Sequence, residues 1–473
     1  MDSRLGKLKS SYDAVIIGSG LGGLTAANYL GKLGHSVLLL EQHYQLGGLA
    51  AWFKRPGGHI FDISLHGFPV GMIKSCRKYW SPAIADAIVQ LPHIRFVNPQ
   101  FSLETSFTRQ DFSRLLIEDF HIPSPTVESF FEQLRQMNFY DHPTESIREF
   151  FEKFFPQRDD VHRFLLEPIA YANGSTLDDP AISYGVVFSN FMSQGVYTFR
   201  GGTDHLIGAM MQELLAHGVD IRLRCPVKEI LLEASSPTPS VSGVRVGDTS
   251  IPCRAVISNA NILKTLTDYL PSSALGEDLK EQSQQVRINT SSCQVYLGIR
   301  SGESIPDIGD LIFFSENEHF EGRELLDFHT KSRTFSLYYP GIRPQREPHY
   351  TIVASMNTRW EDWNALDAVS YKKEKGRIIE DTLRALEILI PDIRSKIDWA
   401  EAATPKTFQR YTGHPRGTSF GTKFEGLDLS MRLSDHIHGL YHTGSVGIIM
   451  SGWLGAMNYG VISAHKVASM LHR

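Results

Sequence analysis

Three groups of residues in the 473-residue chain have types and spacings suited to chemistry. The first is Gly18-Ser-Gly20-Leu-Gly-Gly23, with Glu41 standing 23 residues after Gly18. In such a turn Gly18 permits a tight bend, Gly20 lets a pyrophosphate approach the backbone, and Gly23 lets the next helix lie close on the preceding strand. Glu41 would accept hydrogen bonds from ribose hydroxyls, while unpaired N–H groups at the helix start face the phosphates. This is dinucleotide chemistry, and taken alone it leaves FAD and nicotinamide cofactors both open. The second group is Gly47-Gly48 followed by Gly58-His-Ile-Phe61-Asp62, with His66 just beyond. Imidazole titrates near neutrality, so His66 is the candidate acid or base there, beside a structural or cofactor-orienting role. The third is Gly439-Leu-Tyr-His-Thr-Gly444 with Gly452-Trp-Leu-Gly455 ahead of the C-terminal helical run.

These residues need elements to hold them. Residues 13–17 predict a strand, 24–34 a helix and 35–40 a second strand, a βαβ unit with Glu41 at its end. Residues 196–199 predict a strand, Arg200-Gly-Gly202 a glycine turn, and 203–216 a helix that Gly218 terminates as a C-cap. Strands follow over 220–224 and 227–232, then a turn-rich connector from Ser235 to Ser240, then strands over 242–246 and 251–257 leading into Ser258-Asn259-Ala260. A strand over 439–444 and a helix over 456–471 close the chain.

Fifteen of the 27 phenylalanines lie between Phe101 and Phe199, so the aromatic residues are unevenly distributed. Val127, Phe130, Phe131 and Leu134 have helical spacing, as do Ile147, Phe150, Phe151, Phe154 and Phe155. Ser146 and Glu149 form a capping box for the second helix, and Pro156 ends it. The two oily faces are read as core, with an apolar tunnel or a membrane-facing surface as the alternative.

The glycine groups in this order resemble the glutathione-reductase-type FAD fold of the flavin amine oxidase and phytoene desaturase superfamily. Thr404-Pro405, Tyr411-Thr-Gly413 and Gly417-Thr-Ser-Phe-Gly421 most resemble its phytoene desaturase, carotenoid isomerase and retinol saturase group. The resemblance implies an α/β fold, a glutathione-reductase-type Rossmann FAD domain with an inserted α+β substrate domain. It assigns residues 1–90, 196–290 and 405–473 to the first and 91–195 and 291–404 to the second. FAD is the implied cofactor, held by Gly18, Gly20, Gly23, Glu41, Gly47, Gly48, Val227, Gly444 and Gly455, with Tyr411 and Trp453 as walls near its ring. Two positions depart from the family pattern: Leu49 stands where Arg or Lys is common, leaving Lys54 or Arg55 to substitute, and Ser64 stands where a glycine is expected.

The implied reaction is desaturation, saturation or cis–trans isomerisation of carbon–carbon bonds in a hydrophobic isoprenoid, carotenoid-like or polyene lipid. A flavin-dependent amine oxidase is the alternative, although no lysine stands in a recognisable motif to hold its water. A prenyl-protein chaperone resembling the GDP dissociation inhibitors is a third class, opposed by Glu41, Gly47-Gly48 and the C-terminal motif.

Composition narrows the partners. Apolar residues make up 42 % and charged residues 21 %, as in globular proteins, and a net charge of −5 gives no footprint for nucleic acid. Cys76, Cys225, Cys253 and Cys293 show neither a CxxC nor a zinc-finger spacing, so no metal site is expected and the thiols read as reduced. No secretory signal and no run of about 18 apolar residues is visible, so a cytoplasmic location is expected, with peripheral membrane contact left open.

Overall fold

The computed structural model describes residues 5–137, 145–233, 238–344 and 348–472. Its first sheet is built on the predicted βαβ unit. Tyr12–Ile17 runs parallel to Val37–Leu40, which pairs in turn with Asp220–Arg222. On its other side Tyr12–Ile17 pairs in parallel with Thr249–Ser258, and Leu440–His442 extends the parallel set. Thr249–Ser258 is long enough to serve twice: its first half forms an antiparallel meander with Ser240–Val246 and Val227–Glu233. The parallel strands are apolar on both faces because helices cover both. Ala14, Ile16, Leu39 and Ile257 face helices Leu21–Lys32, Gly202–Ala216 and Gly452–Leu471, whereas Val15, Leu38 and Val256 join the core beneath the meander. Helices Leu21–Lys32 and Gly452–Leu471 cross at Gly22 and Gly460, where a Cβ on Gly460 would run into the Gly22 carbonyl. The final helix thus begins at Gly452, ahead of the residue 456 expected from sequence. The Ser235–Ser240 connector lies partly outside the described residues.

A second sheet of seven strands runs in the order Ile397–Ala403, Ser291–Ile299, Thr351–Thr358, Ser332–Tyr338, Leu311–Ser315, Ile94–Val97 and Ser102–Thr105. It is antiparallel except where Leu311–Ser315 meets Ile94–Val97. Helix Ala368–Leu389 covers the face carrying Cys293, Val295, Leu297, Phe335 and Met356. The helices described between Arg109 and Met192 pack with Phe96 and Phe313 near the opposite edge. Among them, Ser124–Gln136 and Ile147–Phe154 bear the predicted oily faces, and the Ser146–Glu149 capping box is formed. The two faces pack on each other, with Phe130 5.0 Å from Phe155 and 5.5 Å from Phe150 between ring centres. They form core, and the alternative in which they line a tunnel is not what the fold builds. A small sheet of Phe68–Pro69, Val196–Phe199 and Ile88–Gln90 stands among the chain crossings between the two large sheets.

Candidate active site

The glycine turn works through its backbone. Gly18 has φ +91°, a conformation that side chains resist, and a Cβ on Gly23 would run into the Gly18 carbonyl. Gly20 is extended and caps helix Leu21–Lys32 without a side-chain hydrogen bond, so the first-turn N–H groups open towards the space beside Gly20, Leu21 and Gly22. A Cβ on Gly20 would meet the Asn259 amide at 2.7 Å, so its glycine serves the approach of the Ser258–Ala260 turn as well as that of a ligand. Gly47 and Gly48 both have positive φ, and Gly47 donates its N–H to the Ser19 carbonyl at 3.0 Å, laying the pair along the turn.

Glu41 is buried at the end of Val37–Leu40. Its Oε2 accepts from the Ser19 N–H at 2.8 Å and the Ser19 hydroxyl at 2.6 Å, and its Oε1 accepts from the His43 N–H at 2.7 Å. Three donors fix the carboxylate, and each oxygen retains capacity for a ligand hydroxyl.

From Glu41 a single cavity of about 720 Å³ extends past the glycine turn to the second sheet. Gly18, Gly20, Glu41, Gly47, Gly48, Val227 and Gly455 line it. Gly23 lies behind them. Gly444 does too: its bare Cα admits the Ala260 carbonyl, and the neighbouring Ser445 takes the wall. The final helix presents its N-terminal residues Gly452 to Gly455 to the same space, so its positive dipole end faces the cavity. Trp453 is buried there and donates its indole N–H to the Ser64 carbonyl at 3.1 Å, while the Ser64 hydroxyl donates to the Leu49 carbonyl at 2.7 Å. Ser64 therefore ties the two glycine-bearing segments together. Tyr411 lines the cavity as well, half exposed at the Glu41 end with its ring centre 5.7 Å from that of His43. Of the two candidate basic residues, Arg55 reaches the wall and pairs with Glu401 at 2.9 Å, whereas Lys54 is exposed.

The far part of the cavity is walled by Phe107, Ile169, Val186, Val187, Phe191 and Phe313. Its sheet side is polar, with Ser292, Gln294, Tyr296, Thr334, Ser355 and Asn357 on one face. His66 is held against this face. Gln294 Nε2 donates to His66 Nε2 at 3.2 Å, which leaves the imidazole proton on Nδ1, 2.8 Å from the Ser336 hydroxyl. Ser355 Oγ stands 3.2 Å from the same Nε2, and Tyr296 donates to the Gln294 amide oxygen. Burial lowers the His66 pKa to about 4, so the ring is neutral at physiological pH.

Sequence reasoning missed this polar face and two buried clusters. Arg343 bridges Asp62 and Asp204 at 2.7 and 2.6 Å, entering over Gly202, where a Cβ would occupy its place. Glu167 is buried with neither carboxyl oxygen hydrogen-bonded among the described residues, and burial pushes its pKa up to about 8. The polar face was signalled by alternation, since Ser292, Gln294 and Tyr296 alternate with Cys293, Val295 and Leu297. Among the described residues no cluster of His, Cys, Asp and Glu has the makings of a metal site, and no helix is long and apolar enough to cross a membrane.

A parallel sheet with a glycine turn, an acid at the end of its second strand and a C-terminal helix aimed at the same cavity is the arrangement of a Rossmann-type flavin-dependent oxidoreductase. The profile described as "Flavin containing amine oxidoreductase" matches residues 21–469, and the chain belongs to that family. FAD is its cofactor, and the cradle of bare glycine backbone, helix N-termini and Glu41 fits that group. The chain is 24 % identical to the all-trans-retinol 13,14-reductase of Danio rerio, over 95 % of this chain and 85 % of that one. It is also 24 % identical to the chloroplastic prolycopene isomerase of Daucus carota, over 97 % and 80 %. An oxidoreductase from Methanosarcina mazei shares the fold with a TM-score of 0.67 at 17 % identity, covering 97 % of this chain and all of that one.

Proposed function

We propose that the protein oxidises, reduces or isomerises carbon–carbon bonds of a hydrophobic isoprenoid or polyene lipid with FAD. The observation that carries this reading is the continuity of one cavity from the glycine turn to a chamber walled by Phe107, Ile169, Val187 and Phe191. An extended apolar chain loses its water there without needing charged partners. The names of the retinol reductase and prolycopene isomerase relatives point the same way. When bound, FAD supplies the acceptor or donor of hydride.

In this reading Gly18, Gly20, Gly48 and the N-terminus of helix Leu21–Lys32 hold the pyrophosphate, Glu41 the ribose and Val227 the adenine. Gly47 lets the chain pass close to the cofactor, and Gly455 with the final helix stands at the flavin. Gly23 and Gly444 support these contacts from behind. His66, neutral and bonded through both nitrogens, orients the polar face and is not the proton carrier. The cofactor domain comprises 1–90, 196–290 and 405–473, and the substrate domain the remainder. A substrate of this class resides in lipid, so the protein meets it by peripheral contact with a membrane surface.

Amine oxidation is the weaker reading because the lysine on the cavity wall, Lys264, pairs with Asp268 near the Glu41 end, far from the chamber. Anaerobic incubation of oxidised and reduced holoenzyme with polyenes and isoprenoids, following flavin spectrum and product mass together, tests the proposal. A mass change of two hydrogens indicates desaturation or saturation, and an isomer of unchanged mass indicates isomerisation. Turnover of amines alone overturns the reading.

A further inference from the structure

Helix Asp159–Asn173 sets Arg163, Glu167 and Tyr171 on one face at four-residue spacing, so that the face runs from the Arg323–Leu326 turn to the chamber wall. Tyr171 lines the cavity with its ring centre 6.2 Å from that of Phe313, and its hydroxyl is buried without a hydrogen-bond partner among the described residues. One turn behind it Glu167 is 1 % exposed, and neither carboxyl oxygen is hydrogen-bonded among those residues. Arg163 does not take it up: its guanidinium donates to the Asn317 and His319 carbonyls, both at 3.0 Å, and stands 3.7 Å from Glu324 Oε1. Glu324 reaches the surface, with a side chain 14 % exposed; its Oε2 accepts from the Glu321 N–H at 3.1 Å, and its buried Oε1 has no hydrogen bond. Arg163 and Glu324 are the charged groups that act on Glu167, and Arg333 joins them at Tyr171. Buried carboxyl and phenol groups normally find partners, because leaving them unpaired is costly, and apolar side chains would fill the same space without that cost. Here three unpaired groups follow one another from the surface to the chamber.

We propose, on the reading that the carbon–carbon bonds of a polyene change oxidation state, that Tyr171 exchanges the reaction's proton with the substrate while Glu167 refills or empties it, with Glu324 as the outlet to solvent. Saturation of a double bond adds a hydride, carrying the electron pair, to one carbon and a proton to the other. The hydride comes from reduced FAD, which is oxidised in giving it; the proton comes from the Tyr171 hydroxyl, which takes the Glu167 proton as its own leaves. Desaturation runs the same steps backwards, with hydride passing to oxidised FAD and the proton passing through Tyr171 to the Glu167 carboxylate. Side chains four apart on a helix have Cβ atoms about 5–6 Å apart, so the carboxyl and the phenol meet by a rotation or through one bridging water. Burial holds the Glu167 pKa at about 8, which makes both of its protonation states accessible near neutrality. Tyr171 is thus the catalytic residue and Glu167 the positioning residue that acts through it.

The test compares unsubstituted holoenzyme with Y171F and E167Q, each shown by melting temperature and flavin content to be folded and loaded, on phytoene, prolycopene and all-trans-retinol. In both variants kcat should fall at least about tenfold with KM within about threefold. In the unsubstituted protein kcat should bend near pH 8, falling with rising pH for saturation and rising for desaturation, and E167Q should lose the bend. Infrared spectra of the unsubstituted holoenzyme without substrate should show a protonated-carboxyl stretch that titrates near pH 8, is absent from E167Q and is shifted in Y171F, which removes a single oxygen. A smaller fall in kcat, a bend that survives in E167Q, an infrared band indifferent to Y171F, or a product of unchanged mass overturns the proton path and leaves the polyene reading intact. Failure of the flavin-loaded unsubstituted protein to turn over any of the three overturns both.

Discussion

Glu41 shows how a single side chain is prepared for a ligand. A carboxylate at the end of a parallel strand would ordinarily be a solvated acid; here the Ser19 N–H and hydroxyl and the His43 N–H hold it in place on the cavity wall. On the proposed ribose assignment Glu41→Ala removes that acceptor together with the tie to the Ser19 turn, so FAD affinity should fall about ten- to a hundredfold, the loss of one or two charge-assisted hydrogen bonds. Titrating apoprotein with FAD measures this, and unchanged affinity would refute the ribose assignment. Buried titratable side chains make a second prediction. His66 and His442 are both lowered to about 4 by burial, and Glu167 is raised to about 8. Between pH 8 and 6.5 the folded chain holds the Glu167 proton that the unfolded chain has lost, so stability from these groups rises as pH falls. Below 6.5 the unfolded chain takes two imidazole protons that the folded chain refuses, and stability falls as pH drops towards 4. Their joint contribution peaks near pH 6.5. Denaturant midpoints across pH 4.5 to 8 should show E167Q flattening the alkaline limb and steepening the acid one, and parallel profiles for the two proteins would refute the protonated Glu167.

At the scale of elements, the helices that hold the chamber wall are themselves held by aromatic packing. Helices Ser124–Gln136 and Ile147–Phe154 do not touch the cavity; they support Ala181–Met192, which does, through contacts such as Phe151 on Tyr184 at 5.0 Å. Phe130 is fully buried at the centre of this cluster, so Phe130→Ala should cost about 3–5 kcal/mol of stability in chemical denaturation. FAD content should be unchanged, since the cofactor cradle belongs to the other sheet; a parallel loss of flavin would contradict that separation. The same contrast explains what could be read from the chain alone. The glycine turn, its flanking strands and Glu41 are local: each conformational demand falls on a residue within one βαβ unit, and sequence spacing states it. The oily helix faces and the Ser146–Glu149 box are also local. The polar face of the chamber is not. Ser292, Thr334 and Asn357 become neighbours only through strand registers joining segments up to 65 residues apart, and the alternation within each strand says which face is polar but not what lies beside it. Arg343 over Gly202 is equally non-local: the bare Cα was visible in sequence, but not the guanidinium that fills the space above it.

Across the whole molecule, buried ion pairs join the two large sheets and their helices around the cavity. Arg343, just after a strand of the second sheet, reaches Asp62 and Asp204 of the cofactor-side segments. Lys423, ahead of the closing strand, pairs with Asp179 at 2.6 Å and donates to the Gly174 carbonyl at 2.9 Å, where helix Asp159–Asn173 ends. Each pair is desolvated, so removing one partner leaves an uncompensated buried charge, and the two clamps fix the chamber relative to the cradle more than they add net stability. With that geometry fixed, the two halves of the cavity should be separable by volume. Val187 lines the chamber from helix Ala181–Met192 and is only partly buried, so a larger side chain there can enter the open space without displacing packed core. Val187→Trp should leave FAD content and the flavin spectrum unchanged while reducing polyene turnover at least about tenfold, chiefly through kcat/KM, because the indole takes up room that an extended chain requires. Single-turnover flavin kinetics with excess polyene provide the measurement. If turnover persisted with flavin intact, the chain would have to run elsewhere and the chamber would lose its role; if flavin were lost with it, the cradle and chamber would be one cooperative unit, contrary to the division between the two sheets.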